Sequence, residues 1–161
     1  MTLELLRALV LSIWTASGIP HTSDEIPIAT AIAQAVDDDA DNAPVYSSHD
    51  EDAAALAVWV ITESNVHTHP RAFSWDAIAG VSCGAFQTSC FVTRSQSLAG
   101  QAKYVLRLWH LGSTTCPEQP MAPAIGGCKA ARKQGDFRVR WARELLRAVL
   151  VDPLTEIAAE P

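Results

Sequence analysis

The chain has 161 residues, 48% hydrophobic and 19% charged, which suits one globular domain and excludes a wholly disordered chain. Twelve basic against eighteen acidic residues leave a net charge of −6, without the cationic surplus that nucleic-acid binding needs. No apolar run reaches about 18 residues, so no stable membrane span is expected.

The segment from Thr2 to Ala16 is apolar and carries helical periodicity. Leu3, Leu6, Val10 and Ile13 recur at three- and four-residue steps, with Leu5, Leu9 and Trp14 widening the stripe. The competing reading is a signal or anchor over residues 1–17, although Arg7 behind Glu4 makes a poor charged start. Thr22 or Ser23 can cap a second helix running to about Val36, with Glu25 and Pro27 in its first turn. Asp37, Asp38, Asp39, Asp41 and Asn42 then break the pattern. Their spacing is similar to a calcium loop, but the glycine and closing glutamate are missing, and a solvated linker is expected. Residues 1–45 are thus read as N-terminal helices packing on a domain of residues 46–150, with 151–161 as a tail.

Asp50 to Asp52 give an acidic helix start, and Ala53 to Ile61 run without one polar residue. A helix apolar all round is a buried helix. It closes on Thr62, Glu63, Ser64 and Asn65. Desolvation would hold a carboxyl at that last turn in its protonated form, and the negative end of the helix dipole pushes the same way. That is the preparation of a general acid; the plainer reading is that Glu63 marks the helix leaving the core. Downstream, Gly80 and Gly84 flank a turn where backbone can approach a ligand, and Gln87 offers an amide. By itself, Ser82-Cys83-Gly84-Ala85-Phe86-Gln87 is an ordinary turn entering a helix.

Glu63-Ser64 at the end of a buried helix, followed by Gly84-Ala85-Phe86-Gln87, resembles the lysozyme-like superfamily. The likeness is nearest to soluble lytic transglycosylase domains and phage-type muralytic domains. Ser97-Leu98-Ala99-Gly100-Gln101-Ala102-Lys103-Tyr104-Val105-Leu106 looks like the third block of that family, and the likeness covers roughly residues 50 to 148. It implies a mainly α, lysozyme-like domain around a buried central helix, with a short loop or β-like segment after it. It further implies cleavage of the β-1,4 bond between N-acetylmuramic acid and N-acetylglucosamine of peptidoglycan strands. Glu63 would be catalytic, with Ser64, Ser82, Gly84, Ala85, Phe86, Gln87 and Tyr104 against the substrate. No cofactor and no metal are implied, and the location is extracytoplasmic: periplasmic, secreted or virion-associated.

Two departures bear on mechanism. The Tyr-Asn-x-Gly block that helps position the acid in transglycosylases is replaced by Ala122-Pro123-Ala124-Ile125-Gly126-Gly127-Cys128, and Tyr104 is the remaining tyrosine able to take its part. Hydrolysis ordinarily uses two carboxylates, yet Ser82 stands where animal lysozymes carry an aspartate. Asp76 is the nearest second acid, either orienting a water as in goose-type lysozymes or capping a loop. A single glutamate suffices for transglycosylation, which gives 1,6-anhydro ends. A catalytically inactive glycan-binding or structural module on the same fold is the other reading.

Cys116 and Cys128 bound an eleven-residue, proline- and glycine-rich loop, and a bond between them is worth about 3 kcal/mol by loop entropy. Cys83 and Cys90 can pair only if the chain between them bends, because two helical turns would hold them about 10 Å apart. The four cysteines lack the CxxC spacing of zinc knuckles, and His67 and His69 read as loop histidines. A last helix is expected from near Phe137, with Phe137, Trp141, Leu145 and Val149 as its apolar stripe, Leu146 and Leu150 beside it. Arg138, Arg140, Arg143 and Arg147 would form a solvated face.

Overall fold

A computed structural model describes residues 1–66, 75–76, 80–89, 96–125, 127–128 and 132–157, with backbone alone at 75–76, 80–83, 89, 132 and 152–157. The chain is mainly helical. In order, α1 spans Leu3–Ser17, α2 Glu25–Asp37, α3 His49–Ser64, α4 Leu98–Thr115, α5 Ala122–Ile125 and α6 Arg132–Ile157. Between α3 and α4 lie β1 (Trp75–Asp76), β2 (Gly80–Cys83) and β3 (Thr88–Ser89), paired antiparallel in the order β1-β2-β3. No helix among the described residues is long and apolar enough to cross a membrane.

The molecule is organised around α3. Ser48 caps its start by accepting from the Glu51 N–H at 3.2 Å, and every residue from Glu51 to Val60 is buried. Helices α1, α2 and α6 all pack on it. Small side chains at Ala53, Ala54, Ala55 and Ala57 let those neighbours approach, while Leu56, Val58, Trp59 and Val60 fill the space between them. Helix α1 buries Leu6, Leu9, Val10, Ile13 and Trp14, and the Trp14 indole donates to the Ala57 carbonyl at 3.1 Å. Leu5, expected to widen that stripe, instead faces solvent at 58% exposure. It sits one position off the inward-facing Leu6, outside the arc that α2 and α3 cover.

The N-cap position of α2 is Asp24, which makes no side-chain cap bond; Thr22 caps from just outside, its hydroxyl accepting from the Asp24 N–H at 3.3 Å while Glu25 accepts from the Thr22 N–H at 2.9 Å. The same Thr22 hydroxyl donates to the Val66 carbonyl at 2.8 Å, and so ties the entry of α2 to the exit of α3. The acidic segment after α2 is not simply a solvated linker. Asp38 pairs with Lys103, and Asp39 meets His110 Nε2 at 2.7 Å, so this segment docks on α4. Among the described residues no cluster suited to a metal ion occurs.

Helix α6 differs most from its sequence pattern. It starts at Arg132, ahead of Phe137, and continues to Ile157 through the stretch read as a tail. Its buried positions are Gly135, Arg138, Ala142 and Leu145, whereas Phe137 and Leu150 are 51% and 53% exposed. The inward stripe is therefore rotated relative to the one that hydrophobicity alone selects. The rotation is set by Arg138, whose head group finds a partner inside, and by small residues that admit α3. Residues 158–161 lie outside the described residues.

Cys116 and Cys128 form a disulfide with their Cα atoms 5.7 Å apart, closing the loop that carries α5. The first part of that loop folds back on α4, where the Pro120 backbone comes so close to Gly112 that a Cβ would find no room. Replacing both cysteines by serine should lower stability by about 3 kcal/mol, read as a lower denaturant midpoint with a slope equal to or above that of the wild type, because the freed unfolded chain exposes more surface. An unchanged midpoint would show that the loop is held without the bond, by the packing of Pro120 on Gly112 and by the Gln119 amide donating to Asp136 of α6 at 2.5 Å.

Asp52 is fully buried in the first turn of α3, where its two oxygens accept from the Val45 and Tyr46 N–H groups at 3.0 and 2.9 Å. Burial pushes its carboxyl above the usual aspartate range, and the two backbone hydrogen bonds pull back only part of the way. An acid raised in the folded state favours folding at low pH, and that contribution is lost as pH climbs through its folded-state value. The stability of the wild type relative to Asp52→Asn should therefore fall in denaturant titrations as pH rises above 3.8, the ordinary aspartate value. A difference that grows with pH would contradict this.

Candidate active site

The buried run of α3 ends one turn before Glu63. Asn65 closes the helix in the left-handed region at φ 52°, and Val66 follows at φ 60° with its side chain fully buried. A β-branched residue in that region is strained, and it persists because the pocket around Val66 and its bond from Thr22 hold it there. Helix α3 thus stops where it does, and Glu63 emerges from its last turn with 22% of its side chain exposed.

Glu63 is not the isolated, desolvated carboxyl that the helix pattern suggests. Arg138 Nη2 donates to Glu63 Oε1 at 2.5 Å. This guanidinium comes from α6, 75 residues on, and Arg138 itself is only 8% exposed. Its carbon lies 4.5 Å from the centroid of the Trp59 ring, so it rests on an aromatic face one helical turn below Glu63. Desolvation without a counter-charge therefore does not arise. Among the described residues Oε2 of the same carboxyl takes no hydrogen bond. Arg138 thus fixes the carboxyl by one of its two oxygens.

Trp59 also joins this site to the Gly84-Ala85-Phe86-Gln87 turn. Its indole N–H donates to the Phe86 carbonyl at 3.0 Å, in the buried interior. The turn connects β2 to β3 and is no helix entry, because Ser82 and Cys83 pair with Ser89 and Thr88. Gly84 takes φ 76°, which a side chain would oppose, and Gln87 takes φ 47°. The Gln87 amide and backbone N–H both donate to the Gly84 carbonyl, at 2.9 and 3.2 Å. On the far side of Trp59, Trp109 of α4 meets it edge to face at 5.8 Å, and Tyr46 meets Trp109 at 6.0 Å.

Several expected substrate contacts turn out to be structural. The Ser64 hydroxyl turns back to the Val60 carbonyl at 3.1 Å and is buried. Ala85 and Phe86 are fully buried core residues, and Gly84 is buried as well. Tyr104 lies part-buried on α4 and makes no hydrogen bond among the described residues, so it does not hold Glu63. The backbones of Asp76, Ser82 and Cys83 are placed in β1 and β2, but their side chains lie outside the described residues, as do Cys90, His67 and His69. The Glu63 to Asp76 separation is therefore not described. The chain does bend between Cys83 and Thr88, which is the condition set for a Cys83–Cys90 bond.

Arg138 is the residue that sequence reasoning placed wrongly, on a solvated face. Its signal lay in spacing: Arg138, Ala142, Leu145 and Val149 form a helical stripe once an arginine stem is allowed in the core. A second pair has the same form, for Arg143 of α6 donates to the buried Glu51 at the opposite end of α3. Two grooves of about 590 and 360 Å³ lie elsewhere. The larger separates α2 from α4 around Asp39 and His110, and the smaller is lined by Tyr46, Gln119 and Arg140.

Arg138→Met should destabilise the fold by about 1–3 kcal/mol, because Glu63 and the Trp59 face both lose their partner. In a double-mutant cycle with Glu63→Gln, the coupling between the two sites should exceed about 0.5 kcal/mol. Additive effects would remove the ion pair from the account. Set against known proteins, the chain matches no family model, no curated protein and no solved structure.

Proposed function

We propose that the chain cleaves the β-1,4 glycosidic bond of peptidoglycan strands by lytic transglycosylation, with Glu63 as acid and then base. The observation that carries this reading is the placement of Glu63: it leaves the end of a buried helix with part of its side chain exposed, and Arg138 holds it by one oxygen, Oε1. In the first step Oε2–H gives its proton to the glycosidic oxygen, which leaves as an alcohol. In the second, Oε2 takes the proton of the sugar's own 6-hydroxyl as that oxygen closes on the anomeric carbon. The proton returns to Oε2 and no water is consumed.

Three features support the assignment. Glu63 projects from the end of a buried helix, so its backbone is rigid. The turn from Gly84 to Gln87, the second block of the family likeness, is fastened to the same helix through Trp59. Arg138 supplies the positioning that the missing tyrosine block supplies in transglycosylases. The disulfide between Cys116 and Cys128 fits an oxidising, extracytoplasmic location.

Glu63→Gln should lower cleavage of purified peptidoglycan by about 100-fold or more while leaving the fold intact by circular dichroism. Mass analysis of the released fragments should find 1,6-anhydro ends. Reducing ends, together with loss of activity in Asp76→Asn, would replace this reading by hydrolysis with Asp76 as the second carboxylate. A folded Glu63→Gln chain that retained activity would end the assignment altogether.

A further inference from the structure

We infer that Phe137 and Trp141 form a stacking platform for a pyranose ring, a glycan subsite on α6 beside the Glu63–Arg138 pair. The inference rests on the glycan reading above and adds the ring contact that the acid alone does not provide. Phe137 immediately precedes Arg138, and Trp141 lies one turn further along the helix. At about 100° per residue, both sit on one flank of the face from which Arg138 reaches Glu63. Their ring centroids are 5.7 Å apart, with planes inclined by 36°.

Phe137 is 51% exposed although α6 has a buried face close by. Trp141 is part-buried and packs against the core, so one ring is anchored while its neighbour is presented. The helix neighbours of the pair are Lys133, Gln134, Arg140 and Glu144, all exposed and all able to hydrogen-bond. An aromatic surface of one to two rings, edged by polar groups, matches a ligand that is apolar on one face and hydroxylated at its rim. A sugar ring has that form, since its axial C–H bonds lie on the face and its hydroxyls at the edge. A protein partner needs roughly 800 Å² per side, far more than two side chains offer. A lipid surface would take a broad, continuous apolar face, whereas here Phe137 stands among exposed Lys133, Gln134, Arg140 and Glu144.

Calorimetric titration of the whole chain with chitotetraose, the β-1,4 tetramer of N-acetylglucosamine, tests the platform. Phe137→Leu keeps the apolar bulk and removes the ring, so its Kd should rise about tenfold. Phe137→Tyr should bind as the wild type does, and both variants should melt with it because the side chain is half exposed. Unchanged affinity in Phe137→Leu would overturn the inference, as would a wild-type chain that does not bind chitotetraose at millimolar concentration. A change of oligomeric state in Phe137→Leu with glycan affinity intact would likewise overturn it in favour of a protein contact. Failure of the proposed reaction is read separately, since chitotetraose binding that depends on Phe137 stands whether or not Glu63→Gln alters cleavage.

Discussion

A helix with no solvent face places its demands on everything around it. From Glu51 to Val60, α3 exposes nothing, so each neighbour has to bring apolar surface to a full circle of directions. Helix α1 answers with Ile13 and Trp14, α2 with Ile28, Ile32 and Val36, α4 with Trp109, and α6 with Ala142 and Leu145. The indole N–H groups of Trp14 and Trp59 find backbone carbonyls at 3.1 and 3.0 Å, so two of the largest core side chains carry no unmet donor. The polar groups are left to the two ends, with Asp52 and Glu51 at the start and Glu63 and Ser64 at the exit.

Those ends are resolved in different currencies. Asp52 is satisfied locally by backbone N–H groups six and seven residues before it. Glu51 and Glu63 are satisfied by arginines of α6, 92 and 75 residues away. A buried or half-buried ion pair contributes little net stability against an apolar alternative of the same volume, but losing one partner is costly. The arrangement therefore reads better as a means of fixing one carboxylate in one orientation than as a source of stability. The candidate acid owes its position to this pairing and to the strained exit of α3 at Asn65 and Val66.

How much of this could be read from the residues follows from the range of each interaction. The run from Ala53 to Ile61 has one physical interpretation, and α3 is buried as it requires. The helical class, the stripe of α1 from Leu6 to Trp14 and the Cys116–Cys128 bond follow from local spacing. What escaped was long-range. Arg138 looks like a surface residue until Glu63 and Trp59 are placed beside it, and nothing within α6 announces either. Phe137 reads as inward-facing for the same reason, since hydrophobicity selects a stripe without knowing that a buried cation has rotated it. Asp38 and Asp39 resemble a linker until Lys103 and His110 come round from α4. Ser64 and Phe86 keep the positions that the family likeness marks, yet their side chains serve the core.

The two arginine contacts also bear on how α6 can move. Its anchors lie five residues apart, while their glutamates lie twelve apart on α3, and they pair in opposite chain directions. Sliding α6 by one helical turn, about 5.4 Å, would break both contacts together, and the unequal spacings offer no second register in which both reform. Motion of α6 is thereby confined to tilting about its anchors. The stretch of α6 that carries Arg138 then behaves as a lever hinged on the Glu51 end, and a disturbance around Arg143 would be felt at Glu63 as a change of angle and not of height.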